Sequence, residues 1–211
     1  MANLKAVPKV IPIRNKEFTK EKLVKAVGKV LAEVGFQRLG VNMVAREAGV
    51  DKKLIYRYYN GLEGLVAEYG RTVAFWPTAE ELLGEDAEHI REMAPHELMS
   101  QFFKRYLRAI RRRPQTLEIL AWEGVVRNDL TRQLEEVRVR TALEFFELMQ
   151  TDPPEDVDLT ALVMVLAAAV NFLAVRSRMH RSLGGVDVRS DAGWKRIEDT
   201  LDLILKRTLK Q

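Results

Sequence analysis

The sequence predicts an all-α fold, with a small N-terminal three-helix unit built around a helix-turn-helix and a larger C-terminal helical bundle. Three observations support this class. Apolar residues recur at helical spacing through most of the chain, no segment shows the pattern of a strand, and glycine or proline separates the periodic segments. We expect three regions: a basic flexible arm over 1–18, the three-helix unit over 19–65, and the bundle over 66–211.

Composition excludes several classes of protein and site. The 211 residues are 47% hydrophobic and 30% charged, ordinary values for a globular chain long enough to bury a sizeable core. The chain has no cysteine, which excludes disulfides, zinc–thiolate sites and cysteine nucleophiles. No secretory signal is visible. The longest apolar run, Leu159–Val175, is interrupted by Thr160 and Asn171 and is shorter than the roughly 20 residues of a membrane span. We therefore expect a cytoplasmic protein that does not act on a membrane.

Positive charge is concentrated at the N-terminal end. Residues 1–60 hold 13 Lys and Arg against 5 Asp and Glu, whereas the remaining residues hold 21 against 25. This distribution is typical of a phosphate-backbone binder joined to a body that does not bind nucleic acid. The alternative is a basic surface that is merely solvated.

The arm carries Lys5, Lys9, Arg14 and Lys16 among prolines and short apolar residues, and it can bury little surface. It either reaches along DNA, as basic N-terminal arms do, or is a disordered tail. Thr19 is the predicted N-cap of the first helix, and Gly35 ends that helix. One apolar face runs along it, formed by Leu23, Ala26, Val27, Val30, Leu31 and Val34.

The segment Val41–Tyr59 is the predicted helix-turn-helix. Val44, Ala45 and Ala48 form the inward stripe of its first helix, and Gly49 allows the left-handed conformation of a sharp turn. Asp51 can cap the second helix with its carboxylate. That second helix turns its leucine and isoleucine inward and leaves basic and aromatic residues on its open face, which suits the major groove of DNA.

Four short segments have the pattern of a known family. They are Glu33–Phe36 at the end of the first helix, Val44–Val50, Leu54–Tyr59, and Glu63–Leu65 at the start of a fourth helix. Together, the stretch from about Thr19 to Leu65 resembles the DNA-binding domain of the TetR family of bacterial transcription regulators. The resemblance covers about the first third of the chain. It implies a helix-turn-helix DNA-binding domain joined to a C-terminal helical-bundle regulatory and dimerisation domain.

A helix-turn-helix dimer places two reading helices about 34–36 Å apart or a multiple of that, so we expect an inverted-repeat operator in double-stranded DNA. Lys52 and Lys53 begin the reading helix and are placed to reach guanine O6 and N7. Tyr56 is expected to contact a thymine methyl group or a phosphate, and Arg57 and Tyr58 to hold phosphates.

Four further positions bear on this interface or on the core behind it. Asn42, in the first turn of the preceding helix, is expected to reach a phosphate or an adenine edge. Leu54 stands where the family commonly has a small hydroxyl residue, and Leu62 where a lysine often holds phosphate. One backbone contact of the family is therefore in doubt here. Tyr59 occupies the position of the family's buried aromatic and is expected in the core.

The body is expected to contain further helices separated by prolines, acidic stretches and glycines. Their approximate ranges are 61–75, 80–92, 95–113, 115–126, 130–150 and 158–180, with a last helix after Gly184–Gly185.

The helix over 158–180 is apolar nearly all round and must therefore be covered on all sides, by the core on one side and by a second subunit on the other. The family resemblance also implies a homodimer through the last two helices. The expected interface residues are Val165, Ala168, Phe172, Val175, Trp194, Ile197, Leu201 and Leu205.

The resemblance also implies a pocket in the body for a largely apolar small-molecule effector that changes the spacing of the two heads. Aromatic and apolar residues at helical spacing are candidate walls, with a few polar residues as anchors. The nine candidates are Phe102, Phe103, Tyr106, Glu118, Trp122, Glu123, Met164, Asn171 and Phe172. The alternative for the aromatic set is ordinary core packing.

The sequence gives little support for an enzyme. His89, Glu92 and His96 have rough helical spacing, but Pro95 interrupts the turn, so we expect no metal site or cofactor. No nucleophile elbow or phosphate-binding glycine loop is present. We expect a regulator, most simply a homodimeric repressor released by an effector. A DNA-binding regulator controlled by a protein partner instead remains the alternative, and an activating role would depend on operator position.

Overall fold

The computed structural model describes residues 13–84, 93–148 and 154–210. Ten helices and one short hairpin lie within these residues. The helices are α1 (Ile13–Val34), α2 (Val41–Ala48), α3 (Lys53–Tyr59), α4 (Leu62–Gly70), α5 (Ala79–Leu83), α6 (Pro95–Arg111), α7 (Pro114–Glu123), α8 (Asp129–Leu148), α9 (Leu159–Arg176) and α10 (Asp191–Leu209). Strands β1 (Ser182–Leu183) and β2 (Val186–Asp187) pair antiparallel between α9 and α10.

The first helix is longer than predicted. It begins at Ile13, six residues before Thr19, so Thr19 is not its N-cap and the last part of the predicted arm is helical. No glycine or proline lies between residues 13 and 19 to stop the helix, and Pro12 immediately precedes it in the sequence. The predicted arm residues Lys5 and Lys9 lie outside the described residues.

The head, residues 13–70, is formed by α1 to α4. Helix α1 packs against α2 and α4, and α3 packs against α4. Their shared core contains Leu23, Val27, Leu31, Ile55 and Leu65, each 0% exposed. The apolar stripe predicted for α1 is therefore the side that supports the helix-turn-helix.

Helix α4 ends at Gly70, earlier than the predicted Phe75. The Thr72 hydroxyl donates to the Tyr69 carbonyl at 2.7 Å, and the Phe75 N–H donates to the Thr72 carbonyl at 3.0 Å, so tight turns replace the helix. The Thr116 hydroxyl of α7 holds the Phe75 carbonyl at 2.6 Å, which fixes this connection to the body.

The body, residues 71–210, is organised around α6. Helices α5, α7, α9 and α10 all pack against α6, while α8 packs against α4 and α5. Pro95 and Pro114 lie in the first turns of α6 and α7, where a missing N–H group leaves no hydrogen bond of the helix unmade. The helix predicted from about residue 115 therefore begins at Pro114 itself. The predicted acidic helix is partly present as α5; residues 85–92, including His89 and Glu92, lie outside the described residues.

The hairpin was not predicted, because each of its strands has only two residues. Gly184 and Gly185 have φ values of 54° and 79°, the conformation that a two-residue hairpin turn requires at both positions. The last helix follows at Asp191, with the Ser190 hydroxyl accepting from the Gly193 N–H at 3.0 Å.

Helix α9 is long and apolar enough to cross a membrane by length and composition alone, although its apolar run was expected to be too short for that. It nevertheless packs against α6 and α7. Val163, Leu166, Val170 and Ala174 form its buried side. Helix α9 is therefore a helix of the bundle that leaves one of its sides exposed.

Candidate nucleic-acid interface

The helix-turn-helix forms at the predicted residues. Val44, Ala45 and Ala48 are buried, and Gly49 ends α2 with a φ of 65°. The Gly49 N–H donates to the Arg46 carbonyl at 3.1 Å, and the Val50 N–H donates to the Ala45 carbonyl at 3.0 Å. These bonds close the end of α2 and direct the chain into α3.

The reading helix α3 is held at both of its ends. The Asp51 carboxylate accepts from the Lys53 N–H at 2.8 Å, as the predicted cap requires. The Tyr59 hydroxyl donates to the Lys20 carbonyl of α1 at 3.2 Å, and burial raises the pKa of Tyr59 to about 12. Tyr59 thus joins α3 to α1 in the head, as expected of the core aromatic.

The opposite side of α3 is open. Lys52, Lys53 and Arg57 are exposed, and Tyr56 is 58% exposed although it is a large aromatic residue. Asn42 is also exposed, and its side-chain oxygen accepts from the Lys52 Nζ at 3.2 Å across the turn. The predicted base-reading residues are therefore accessible, and two of them are neighbours.

Tyr58 is half-buried and has two cations near its ring. The Lys16 Nζ of α1 and the Arg57 guanidinium carbon each lie 5.9 Å from the centre of its ring. Sequence reasoning assigned Lys16 to the arm; the length of α1 instead carries it to the reading helix. Leu54 and Leu62 are partly buried against the core, so neither offers a polar group to phosphate.

The first three residues predicted to line a pocket in the body are packed in its core. Phe102, Phe103 and Tyr106 are at most 7% exposed. The ring centres of Phe102 and Phe145 are 3.9 Å apart. The Tyr106 hydroxyl donates to the Asn171 side-chain oxygen at 2.7 Å, so this anchor is already occupied.

The remaining predicted pocket residues lie elsewhere. Glu118 pairs with Arg178, and Glu123 pairs with Arg138 at 2.8 Å, where burial raises the pKa of Glu123. Met164 is 67% exposed on the outer side of α9. Four surface clefts formed by described residues have volumes between about 270 and 890 Å³, and none of the nine candidates lines them.

Trp122 connects the body to the head instead of lining a pocket. Its indole lies against Gly35, the residue that ends α1, so closely that a Cβ there would be 2.5 Å from the ring. Its Nε1–H points to the Ala32 carbonyl at 3.4 Å. Gly35 therefore has two roles, because its φ of 72° also ends the helix.

The predicted interface residues divide into two groups. Val165 and Phe172 are 60% and 62% exposed, Ala168 is exposed, and Val175 and Ile197 are half-buried. Trp194, Leu201 and Leu205 are instead buried in the core of the single chain, where α10 packs on α6. This corrects the expectation for these three, whose side chains leave almost no surface for a second subunit. Leu203 and Ile204 are the exposed large apolar residues of α10.

No group of three or more metal-ligating side chains lies together in the described residues. Residues 23–69 match the family model described as bacterial regulatory proteins, tetR family. No curated protein is similar enough in sequence to match the chain. The matched family is one of regulatory proteins rather than enzymes.

Solved structures share the whole fold. One is a TetR-like transcriptional regulator from Rhodococcus sp., with a TM-score of 0.61 and 17% identity, covering 93% of this chain and 97% of that one. Another is a TetR family transcription regulator from Marinobacter aquaeolei, with a TM-score of 0.58, 16% identity and coverage of 88% and 96%. A third is the fatty acid degradation regulator from Bacillus halodurans, with a TM-score of 0.58, 16% identity and coverage of 95% and 96%.

Proposed function

Because residues 23–69 form a TetR-family DNA-binding domain and the whole chain has the fold of that family's transcription regulators, we propose that it works as a homodimeric repressor of an inverted-repeat operator. We further propose that it acts in the cytoplasm and that a small-molecule effector releases it from DNA. The match to the family supports a DNA-binding regulator, and the dimer, the repression and the release go beyond that match.

The observation that carries the proposal is the asymmetry of α3. Its inner side is fixed by Ile55, which is fully buried, and by the Tyr59 hydroxyl on α1. Its outer side presents Lys52, Lys53 and Arg57 to solvent, next to an exposed aromatic side chain. A rigid helix with cations on its open face is what insertion into the major groove requires.

The homodimer is supported by the exposed stripe of α9. Val165, Ala168 and Phe172 follow each other at intervals of three and four residues, so they share one side of the helix. A stripe of this kind, uncovered in the single chain, marks a surface that another protein covers. A second copy is the partner that would bring two reading helices together.

A second candidate is a regulator without an effector in its body, controlled by a protein partner. The packing of Phe102, Phe103 and Tyr106 favours it, because their rings fill the space in which a ligand was expected. The two candidates share the same DNA-binding head and differ only in what releases it.

The DNA-binding proposal is tested with the purified protein and the DNA flanking its own gene, at physiological salt and with excess random DNA as competitor. We expect protection of an inverted repeat, lost in Lys52→Ala and Tyr56→Ala. Lys210→Ala, which removes an exposed lysine after the end of α10, is the matched control and should bind like the unchanged protein. Binding that random DNA displaces equally in all variants would reduce the interaction to a non-specific electrostatic one.

The dimer proposal is tested by the mass in solution. Phe172→Glu places a charge in the exposed stripe of α9, and we expect it to convert the dimer to a monomer. Val139→Glu changes a residue of α8 that is 53% exposed and serves as the control. Light scattering that gives one mass for all three proteins would contradict the proposed interface.

A further inference from the structure

A cleft of about 890 Å³ lies where the head meets the body. One wall is α1, with Ala48 at the end of α2 and Tyr59 at the end of α3; the other is formed by the end of α4, the turn after it and the start of α7. We call it the junction cleft. None of the residues predicted for the pocket lines it.

The lining of the junction cleft is chiefly apolar and electrically balanced. Val24, Ala26, Ala48 and Val73 contribute apolar surface. Four lysines and four glutamates stand around them, so the charged side chains of the cleft sum to zero. One of these pairs, Lys29 and Glu47, is already joined at 2.7 Å. A strongly charged ligand would find equal numbers of attractive and repulsive groups, whereas an uncharged apolar ligand would bury the apolar surface and needs no net charge in the lining.

Tyr69 gives the cleft an unused hydrogen-bond donor. The residue lines the cleft and is 2% exposed, and its hydroxyl is buried without a hydrogen-bond partner. Buried hydroxyl groups almost always have a partner, so an orphan of this kind calls for an acceptor. The ring is held from one side by α1, because a Cβ at Gly28 would lie 2.3 Å from its Cε2 atom.

We propose that the junction cleft binds an uncharged, largely apolar small molecule whose carbonyl or ether oxygen accepts a hydrogen bond from the Tyr69 hydroxyl. The hydroxyl lies on the axis of the ring, so a small change of the Tyr69 χ1 angle, and not a turn of the ring about that axis, would bring the covered hydroxyl to the ligand. Gln115, exposed at the start of α7, lines the body side of the cleft and offers a neutral amide to a second polar group of the ligand.

A ligand bound in the junction cleft can affect DNA binding because of where the cleft lies. This step rests on the function proposed above. The walls of the cleft belong to both the head and the body, so a ligand that fits one relative placement better than another shifts the equilibrium between them. A bound molecule would thereby change the spacing of the two reading helices in a dimer. This route requires no cavity inside the aromatic core of the body.

The site is tested by titrating the full-length protein with Nile red, an uncharged apolar dye with a carbonyl oxygen, and following its fluorescence. Ala74 lies exposed on the cleft wall, so Ala74→Trp fills the cleft without entering the core. We expect Ala74→Trp to weaken dye binding at least about tenfold, and Tyr69→Phe to weaken it about fivefold through the lost hydrogen bond. Val139→Trp, on an exposed part of α8, is the control and should leave binding unchanged.

A second dye distinguishes the loss of the Tyr69 hydrogen bond from the filling of the cleft by a larger side chain. N-phenyl-1-naphthylamine is uncharged and apolar but has no carbonyl oxygen, so Ala74→Trp should weaken its binding while Tyr69→Phe should not. Unchanged binding of both dyes to Ala74→Trp would overturn the proposal, as would loss of binding in Phe172→Glu alone, which would locate the dye on α9. The titration contains no DNA, so a failure of the operator experiment leaves its result intact.

Discussion

Replacing Gly64 by alanine should disturb the head through the backbone of its reading helix. Gly64 lies in the first turn of α4, and a Cβ there would be 1.9 Å from the Tyr59 carbonyl oxygen and 3.0 Å from the Tyr59 carbonyl carbon. An ordinary carbon–oxygen contact is about 3.3 Å or more, so the two helices must separate by roughly 1.4 Å. Tyr59 is the last residue of α3, and its displacement therefore moves the reading helix itself.

The size of the effect follows from two opposing contributions. Alanine is favoured over glycine inside a helix by about 1 kcal/mol. Overpacking costs about 1–3 kcal/mol, and the upper part of that range applies here because the neighbour is backbone rather than a flexible side chain. The turn cannot relax freely, since Asn60 and Gly61 already have φ values of 58° and 119°. We expect a net loss of about 1–2 kcal/mol in the free energy of unfolding.

The assay is urea denaturation of the unchanged protein, Gly64→Ala and Gly124→Ala, with operator binding measured on the same samples. Gly124 is the matched control: it has a helical φ of −63°, and a Cβ there would meet its nearest atom at 3.5 Å, an ordinary contact. We expect Gly124→Ala to be neutral and Gly64→Ala to lose both stability and operator affinity. Equal midpoints for the two variants would refute the close approach of α3 and α4.

Three further predictions concern the head–body contact and two titrating groups. Trp122→Ala removes the ring stacked at the end of α1 and should lower stability by about 1–2 kcal/mol, measured by urea denaturation, and weaken operator binding. Hydrogen bonds from Ser100 and Lys104 lower the pKa of Asp202 in the folded protein. The ionised carboxylate therefore stabilises the fold at pH values above its ordinary pKa of about 3.9, and this stabilisation is lost as the pH falls through the lowered pKa. Asp202→Asn should flatten the fall in melting temperature between pH 5 and pH 2. Burial raises the pKa of Tyr69 to about 12 in the folded protein. The neutral hydroxyl therefore favours the folded state fully below the unfolded-state pKa of about 10, and this stabilisation is lost as the pH rises towards 12. Circular dichroism should show that Tyr69→Phe loses less stability than the unchanged protein between pH 10 and pH 12.

The sequence was most informative where the structure depends on neighbours in the chain. The stripe of Val44, Ala45 and Ala48 and the glycine after it specify a helix and its end within one short segment. The start of α1 was missed because Thr19 has the preferred side chain of an N-cap, yet a threonine inside a helix is tolerated when nothing before it stops the helix. The side-chain preference of Thr19 indicated a possible start of the helix, and the residues before Thr19, none of which stops a helix, determined the actual start.

Contacts between distant segments could not be predicted in the same way. Trp194, Leu201 and Leu205 have the helical spacing of a buried stripe, but the spacing carries no information on whether α6 of the same chain or a second chain covers them. For the same reason, the sequence could not tell whether the aromatic residues of α6 line a pocket or pack in the core. Both arrangements use the same side chains, and they differ only in whether a ligand or another side chain lies against them.

Helix α9 shows how the structure separates explanations that the sequence leaves together. An apolar helix of 18 residues suits a membrane, a buried core or a subunit interface. The Asn171 side chain accepts a hydrogen bond from Tyr106 at 2.7 Å, and Val170 and Ala174 are at most 1% exposed, so one side belongs to the bundle. Only the stripe containing Phe172 then remains to be covered. The bundle therefore accounts for one side of α9, and the stripe containing Phe172 is the surface that we propose a second copy covers.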